Sequence, residues 1–231
     1  MMISANQVSY SQYVETFPLS QEDIIEHLMH QYHPDLTVKQ RLFTKQNLTL
    51  ILEATFKLSR IMSFSKMTVR DLQKETGISM GSLYNCIGSK EDLESMIIEG
   101  VSFITDFTQE RGLELKLDDK SYLVLSTKAY IYLGRMFKPW YFFVSMESRS
   151  MTPDNLEKVK KVRTTFITEL SAFLNGNMVA ASHISTIIQD YIIRDWKYEA
   201  VDIDDFADHC VRLAILLNDN SKILGDLPIS A

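Results

Sequence analysis

The side chains best spaced for a definite task lie between Thr68 and Leu93, in the run TVRDLQKETGISMGSLYNCIGSKEDL. Thr68 with Asp71 three residues on forms a capping box that opens a helix, and Val69 and Leu72 face inward from it. Gly77 stands where a left-handed residue ends that helix at no steric cost. Ser79 caps a second helix from Met80 to about Ile87, anchored inward by Leu83 and Ile87, and Ser89 with Asp92 opens a third. Two short helices joined by so tight a turn suit laying the second into the major groove of DNA. Its leading residues then reach base edges. Met80 and Ser82 can meet thymine methyls or hydrogen-bond a base, and Asn85 can read adenine or hold a phosphate. Ser79 sits at the same leading end, and Gly81 allows close approach to the DNA backbone. Arg70, in the first turn of the preceding helix, is placed for a guanine or a phosphate, and Thr68 for a phosphate at its helix N-terminus.

These residues carry a family resemblance. The run resembles the N-terminal DNA-binding domain of the TetR/AcrR family of bacterial regulators, whose pattern reads roughly T-V-x-x-I-A-x-x-x-G-V-S-x-G-T-L-Y-x-Y-F-x-s-K-E-x-L. The chain matches at Thr68, Val69, Gly77, Ser79, Gly81, Leu83, Tyr84, Lys90, Glu91 and Leu93, with conservative changes at Leu72, Ile78, Ser82 and Ile87. Upstream, Ile51-Leu52-Glu53-Ala54 falls on the first-helix signature, so the ungapped match spans Ile51 to Leu93. Thr55, Ser59 and Ser63 stand where Ala, Phe and Gly are usual, and Cys86 and Ile87 replace a frequent aromatic pair. The first helix is therefore expected to pack or end differently. The resemblance implies phosphate contacts from Tyr84 and Lys90, and a base contact from Arg70. A half-buried packing role competes for Tyr84. For Cys86 packing outweighs redox switching, because only Lys90 lies near enough in sequence to lower a thiol pKa.

Charge supports the same block. The chain has 231 residues and a net charge of −6, unpromising for a nucleic-acid binder, yet residues 38–90 hold nine Lys or Arg against three acids. A basic block in an otherwise acidic chain is an electrostatic footprint confined to one domain. Hydrophobic residues make up 45% of the sequence, enough for a sizeable core. Eight glycines, the first at Gly77, and five prolines leave long stretches without loop punctuation. That favours an all-α protein. Two distant cysteines make no disulfide framework. With neither a signal-peptide pattern nor an uncharged apolar run of about 18 residues, a soluble cytoplasmic protein without membrane contact is expected.

The elements around the head follow from periodicity. Residues 1–37 contain no Lys or Arg. Residues 1–17 read as an irregular arm. Ser20 and Asp23 then cap an amphipathic helix carrying Ile24, Ile25, Leu28, Met29 and Tyr32, which Pro34 closes. His27, His30 and His33 recur every three residues, but they drift around the helix and favour surface histidines over a metal site. Val38 to about Ser63 reads as one long bracing helix. Beyond a charged connector ending at Lys120 come helices over Ser121–Met136, after Pro139, from Pro153 to Gly176, over Ala180–Tyr198 and over Ile203–Asn218. Five bulky residues, Trp140 to Val144, cannot share one helix face. The resemblance implies an effector pocket here, and Phe103, Phe107, Tyr130, Trp140, Phe143 and Phe166 are the candidates for its wall, with core packing equally open for each.

The expected organisation is an acidic N-terminal extension (1–37), a three-helix helix-turn-helix domain (38–92), and an effector-binding and dimerisation domain (93–231). The expected function is a homodimeric regulator, a repressor rather than an activator on family precedent, reading double-stranded DNA at a palindromic operator. The dimer would form through the helices near 180–198 and 203–218, and a small apolar or aromatic effector would release it. It would work in the bacterial cytoplasm, on the nucleoid when DNA-bound. The rival is a TetR-like ligand-binding protein that acts through protein partners without reading an operator. No nucleophile–base set, metal-ligand pattern, cofactor motif or glycine-rich phosphate loop argues for an enzyme.

Overall fold

Capping residues set most of the helix starts. In a computed structural model, which describes residues 8–224 and of residues 113 and 219–224 the backbone alone, eleven α-helices and no strand occur among the described residues. They are α1 (Tyr10–Thr16), α2 (Gln21–Tyr32), α3 (Val38–Leu58), α4 (Val69–Thr76), α5 (Met80–Ile87), α6 (Lys90–Glu114), α7 (Asp119–Met136), α8 (Lys138–Glu147), α9 (Pro153–Phe173), α10 (Met178–Ile193) and α11 (Ile203–Leu224), with a 3₁₀ turn at Asp195–Lys197. Ser20, Thr68, Ser79 and Asp118 each accept an amide hydrogen bond from the first turn of the helix they precede. A cap of this kind contributes about 1 kcal/mol.

Several boundaries differ from expectation: the helix expected over Ala180–Tyr198 ends at Ile193, the one expected over Ile203–Asn218 runs to Leu224, and two more differ for a local reason. In place of an irregular arm, Ser9 caps α1, with Gln12 completing the box. The long bracing helix stops at Leu58, five residues early, after the Thr55 hydroxyl bonds back to the Ile51 carbonyl at 2.7 Å and that of Ser59 to Phe56 at 2.9 Å. Hydroxyls that bond the preceding turn compete with the helix ladder and favour an early end. The rest of the arm, residues 1–7, and the chain after 224 lie outside the described residues.

The chain divides into two compact units whose boundaries cross the sequence-based ones. A head unit takes Leu19–Ile104 together with Pro139–Lys160. A second unit takes the arm up to Pro18, Thr105–Lys138, and the chain from Lys161. The N-terminal extension is thus shared, α1 going to the second unit and α2 to the head. Packing explains the assignment of α8. Trp140 and Phe143 are buried against Phe56, with ring centroids 5.0 and 6.3 Å away, and Phe143 meets Phe64 edge-on at 5.0 Å.

The head also buries a carboxylate. Glu94 of α6 accepts a hydrogen bond from Asn155 Nδ2 at 2.7 Å, and burial raises its pKa above the usual carboxylate range. A raised folded-state pKa favours the protonated form, so ionised Glu94 costs stability once pH climbs past the unfolded value. Glu94→Gln keeps the acceptor and removes the charge. We expect it to raise stability by about 1 kcal/mol at neutral pH and to bring no gain in acid, as read from denaturant midpoints at both pH values. Glu94→Ala, which orphans the Asn155 amide, is expected to destabilise at both.

Candidate nucleic-acid interface

In the head, α4 and α5 pack on each other and on α3 through a fully buried set: Leu48, Ile51, Leu52, Leu72, Leu83 and Ile87. The turn between α4 and α5 is short because Gly77 takes φ 72°, and its amide closes α4 on the Gln73 carbonyl. With Leu83, Cys86 and Ile87 turned inward, Tyr84 and Asn85 are left exposed. Thr68, Arg70, Ser79 and Gly81 are exposed as well, while Met80, Ser82 and Lys90 are half-buried. The nine sequence candidates therefore sit on α5, on the N-caps of α4 and α5, and on the first turns of α4 and α6.

Three of them have local duties. The Thr68 hydroxyl receives the Asp71 amide and donates to the Asp71 carboxylate at 2.6 Å, which holds that carboxyl below its usual pKa. The Ser79 hydroxyl receives the Ser82 amide at 3.2 Å. Lys90 Nζ donates to the Ser65 carbonyl at 3.1 Å and lies 4.7 Å above the Phe64 ring, so a phosphate would have to draw it away from both. Gly81 has no such duty: a Cβ built there would meet no heavy atom within 4 Å.

Cys86 faces the interior, with Sγ 4.0 Å from the Thr44 carbonyl oxygen, and burial pushes its thiol pKa up. A thiol protonated at neutral pH is a poor redox switch. Its backbone carbonyl is held by His33 Nε2 at 2.9 Å, which ties the end of α2 to α5.

The acidic extension does more than precede the head. Ile24, Ile25, Leu28 and Met29 of α2 are fully buried. Glu26 pairs with Arg41 and with Lys45, and Glu22 pairs with Lys45, all at 2.6 Å. Hydrogen bonds from Lys45 and then Arg41 hold the Glu26 carboxyl low, and hydrogen bonds to Glu22 and then Glu26 raise Lys45. Two cations of the basic block are therefore already matched inside the protein. Of the three histidines, His27 donates toward Glu99 at 2.9 Å and stacks on Phe103 at 4.3 Å, His33 serves Cys86, and His30 is exposed. Nothing in the sequence pattern singled out His27 or His33 for these contacts.

The six aromatic candidates separate by contact. Trp140 and Phe143 share Phe56, and Phe103 stacks on His27, all in the head unit. In the second unit Tyr130 and Phe166 stack in parallel at 4.2 Å, and Phe107 lies beneath the Arg111 guanidinium at 5.4 Å. That unit also joins Gln109, Tyr122 and Glu169, with burial raising the Glu169 pKa. A cavity of about 10 Å³ under α1, lined by Tyr13, Phe17, Thr108 and Leu125 among others, has room for a single water and touches none of the six.

No protein-family model and no curated protein matches the sequence. Solved structures do. A TetR-family regulatory protein from Rhodococcus RHA1 aligns with TM-score 0.64 at 16% identity, over 74% of this chain and 96% of that one. A structure described as the superantigen pfit aligns at 0.56 and 14%, over 81% and 95%. The fatty acid degradation regulator FadR from Bacillus halodurans aligns at 0.52 and 15%, over 79% and 96%. The chain has the all-helical fold seen in TetR-family regulators.

Proposed function

We propose that this chain, carrying the fold of TetR-family regulators, is a dimeric DNA-binding transcription regulator, acting as a repressor that a small effector releases from a palindromic operator. The observation that carries this reading is the outward face of the α4–turn–α5 pair. Arg70, Gly81, Tyr84 and Asn85 are exposed there, and the inward-facing residues alone account for the packing. One α5 is two turns long and makes few contacts, so two copies a helical turn apart are needed to read a site. The dimer would use α10 and α11, where Met178, Val179 and Leu216 are exposed. For the effector, the Tyr130–Phe166 stack with the Gln109–Tyr122–Glu169 cluster in the second unit offers an aromatic wall with a polar edge. Trp140, Phe143 and Phe103, packed on head residues, are suited to passing on a shift rather than to lining a pocket. Among the described residues no helix is long and apolar enough to cross a membrane, and we place the protein in the bacterial cytoplasm.

The test is selection of bound sequences from random duplex DNA, followed by titration across salt. A palindromic consensus with strongly salt-dependent affinity supports the reading. Binding that is weak and indifferent to sequence at low salt overturns it, in favour of a protein that works through protein partners. The pairing of Glu22 and Glu26 with Arg41 and Lys45 gives that rival its one concrete support. Removing residues 1–37 would strip buried residues from the head, so charge substitution is the better probe. With the carboxylates replaced, as Glu22→Gln with Glu26→Gln, the two cations become available to phosphates. The slope of log affinity against log salt is expected to steepen by up to about 2. An unchanged slope would show that neither cation reaches DNA.

A further inference from the structure

The second unit has an open cleft of about 610 Å³ where the end of α7, the α10–α11 connection and the N-terminal arm meet. That volume falls in the range that takes a small metabolite. On one wall, Lys138 Nζ lies 2.5 Å and Arg135 Nη1 3.4 Å from a single carboxylate, Asp195, so two cations share one anion. The Arg135 guanidinium is also held 5.3 Å over the Tyr191 ring, which fixes its plane. On the connection, the Asp202 carboxylate is committed to α11, accepting the amides of Asp204 and Asp205 at 2.8 and 3.2 Å. Glu199 lines the cleft too, exposed and without an ion-pair partner among the described residues. Val201, Ile203 and the Tyr10 ring supply the apolar lining.

We infer that this cleft binds a free α-amino acid with an apolar side chain, its carboxylate on Arg135 and Lys138 and its ammonium on Glu199. Two cations sharing one carboxylate, with the unpaired carboxylate of Glu199 in the same lining, match a zwitterion better than a simple anion. A phosphate dianion fits worse, because Asp195, Asp202, Asp204 and Glu199 crowd the site with negative charge. Arg135 can grip a carboxylate through two parallel N–H donors, while Lys138 adds a point charge. The arm completes the wall. The Tyr10 amide donates to Asp204 at 2.7 Å, and its ring meets Tyr132 edge-on at 5.4 Å. The site therefore depends on the N-terminal arm, and it is independent of whether the head reads DNA.

The test uses the full-length protein and calorimetric titration with L-leucine, L-phenylalanine, leucinamide and N-acetyl-L-leucine. Leucine or phenylalanine is expected to bind in the micromolar to millimolar range. Leucinamide, which lacks the carboxylate, and N-acetyl-leucine, which lacks the ammonium, should each bind at least about ten-fold more weakly. Arg135→Gln and Lys138→Gln should lose leucine binding. Glu199→Gln lies on an exposed connection that cannot unfold the unit, and it should abolish the preference for leucine over its N-acetyl form. Absence of binding by both free amino acids overturns the inference. So does leucine affinity unchanged in Arg135→Gln and Lys138→Gln, or parental N-acetyl-leucine binding equal to that of leucine.

Discussion

If α5 enters DNA as proposed, Gly81→Leu is expected to reduce affinity for the selected duplex by about 100-fold or more while leaving the head as stable as before. Glycine has no structural duty at this position. Gly77 and Gly88 need glycine for their backbone, at φ 72° and 65°. At Gly100 a Cβ would overlap the Trp140 ring. Gly81 shows neither constraint: its φ is not positive, and a Cβ would meet nothing within 4 Å. A glycine in the first turn of a helix costs about 1 kcal/mol relative to alanine, so the fold alone would be better served by another residue. What remains is an external reason, a surface that approaches closer than a side chain permits. A leucine would lift the leading end of α5 off the duplex and break several contacts, each worth about 1–3 kcal/mol. Gly81→Ala should fall between, slightly more heat-stable than the parent and about ten-fold weaker on DNA. Fluorescence anisotropy on the selected operator, with a thermal melt of the same sample, separates the two effects. Parental affinity in Gly81→Leu would mean that α5 does not enter a groove through this end.

How legible the molecule was in its sequence depended on whether a signal is local. The Thr68–Asp71 and Ser20–Asp23 boxes, the Gly77 corner and the Leu83–Ile87 anchors are each decided within a few residues, and the structure has all of them as read. Helix α1 was just as local, through Ser9 and Gln12, but its apolar residues Tyr13 and Val14, with Phe17 at its C-cap, are too few to show a period. The assignment of α8 was not local at all. The run Trp140–Val144 announces that its faces must separate, and Trp140, Phe143 and Val144 are indeed buried while Tyr141 and Phe142 are half-buried. That the buried set meets Phe56 and Phe64 depends on contacts distant in sequence, which periodicity does not encode. Arg135, Lys138 and Asp195 are likewise unremarkable until the chain brings them within an ion-pair distance. Lys128 is the clearest case. A lysine in the middle of α7 reads as solvated, yet it is almost completely buried.

That lysine sets the second large effect. Lys128→Met is expected to destabilise the protein by about 1–3 kcal/mol and to release the N-terminal arm. Lys128 Nζ lies 2.7 Å from Asp208 and donates to the Val8 carbonyl at 3.0 Å. The same carbonyl lies 3.2 Å from the Tyr132 hydroxyl, whose single proton is shared with the nearer Asp204 carboxylate at 2.5 Å. Burial, followed by Asp204, raises the Tyr132 pKa, so the phenol remains a donor at neutral pH. Methionine preserves most of the packed volume, so the loss isolates the charge. Asp208 is about half exposed and can rehydrate, which keeps the cost below that of a fully buried pair. What cannot be replaced is the cation at Val8: without it, Asp208 loses its ion-pair partner and the Val8 carbonyl loses a donor. Chymotrypsin is the probe for release, since residues 1–37 offer trypsin no Lys or Arg while Tyr10 and Tyr13 are chymotryptic sites; Phe17, followed by Pro18, is not cleaved. Cleavage within the arm should accelerate by about ten-fold or more in Lys128→Met, in proportion to the lost stability. Tyr132→Phe should give a smaller change in the same direction, because Lys128 still holds Val8. Equal cleavage rates and equal melting temperatures in parent and Lys128→Met would show that the arm is held by the packing of Tyr13 and Phe17 alone.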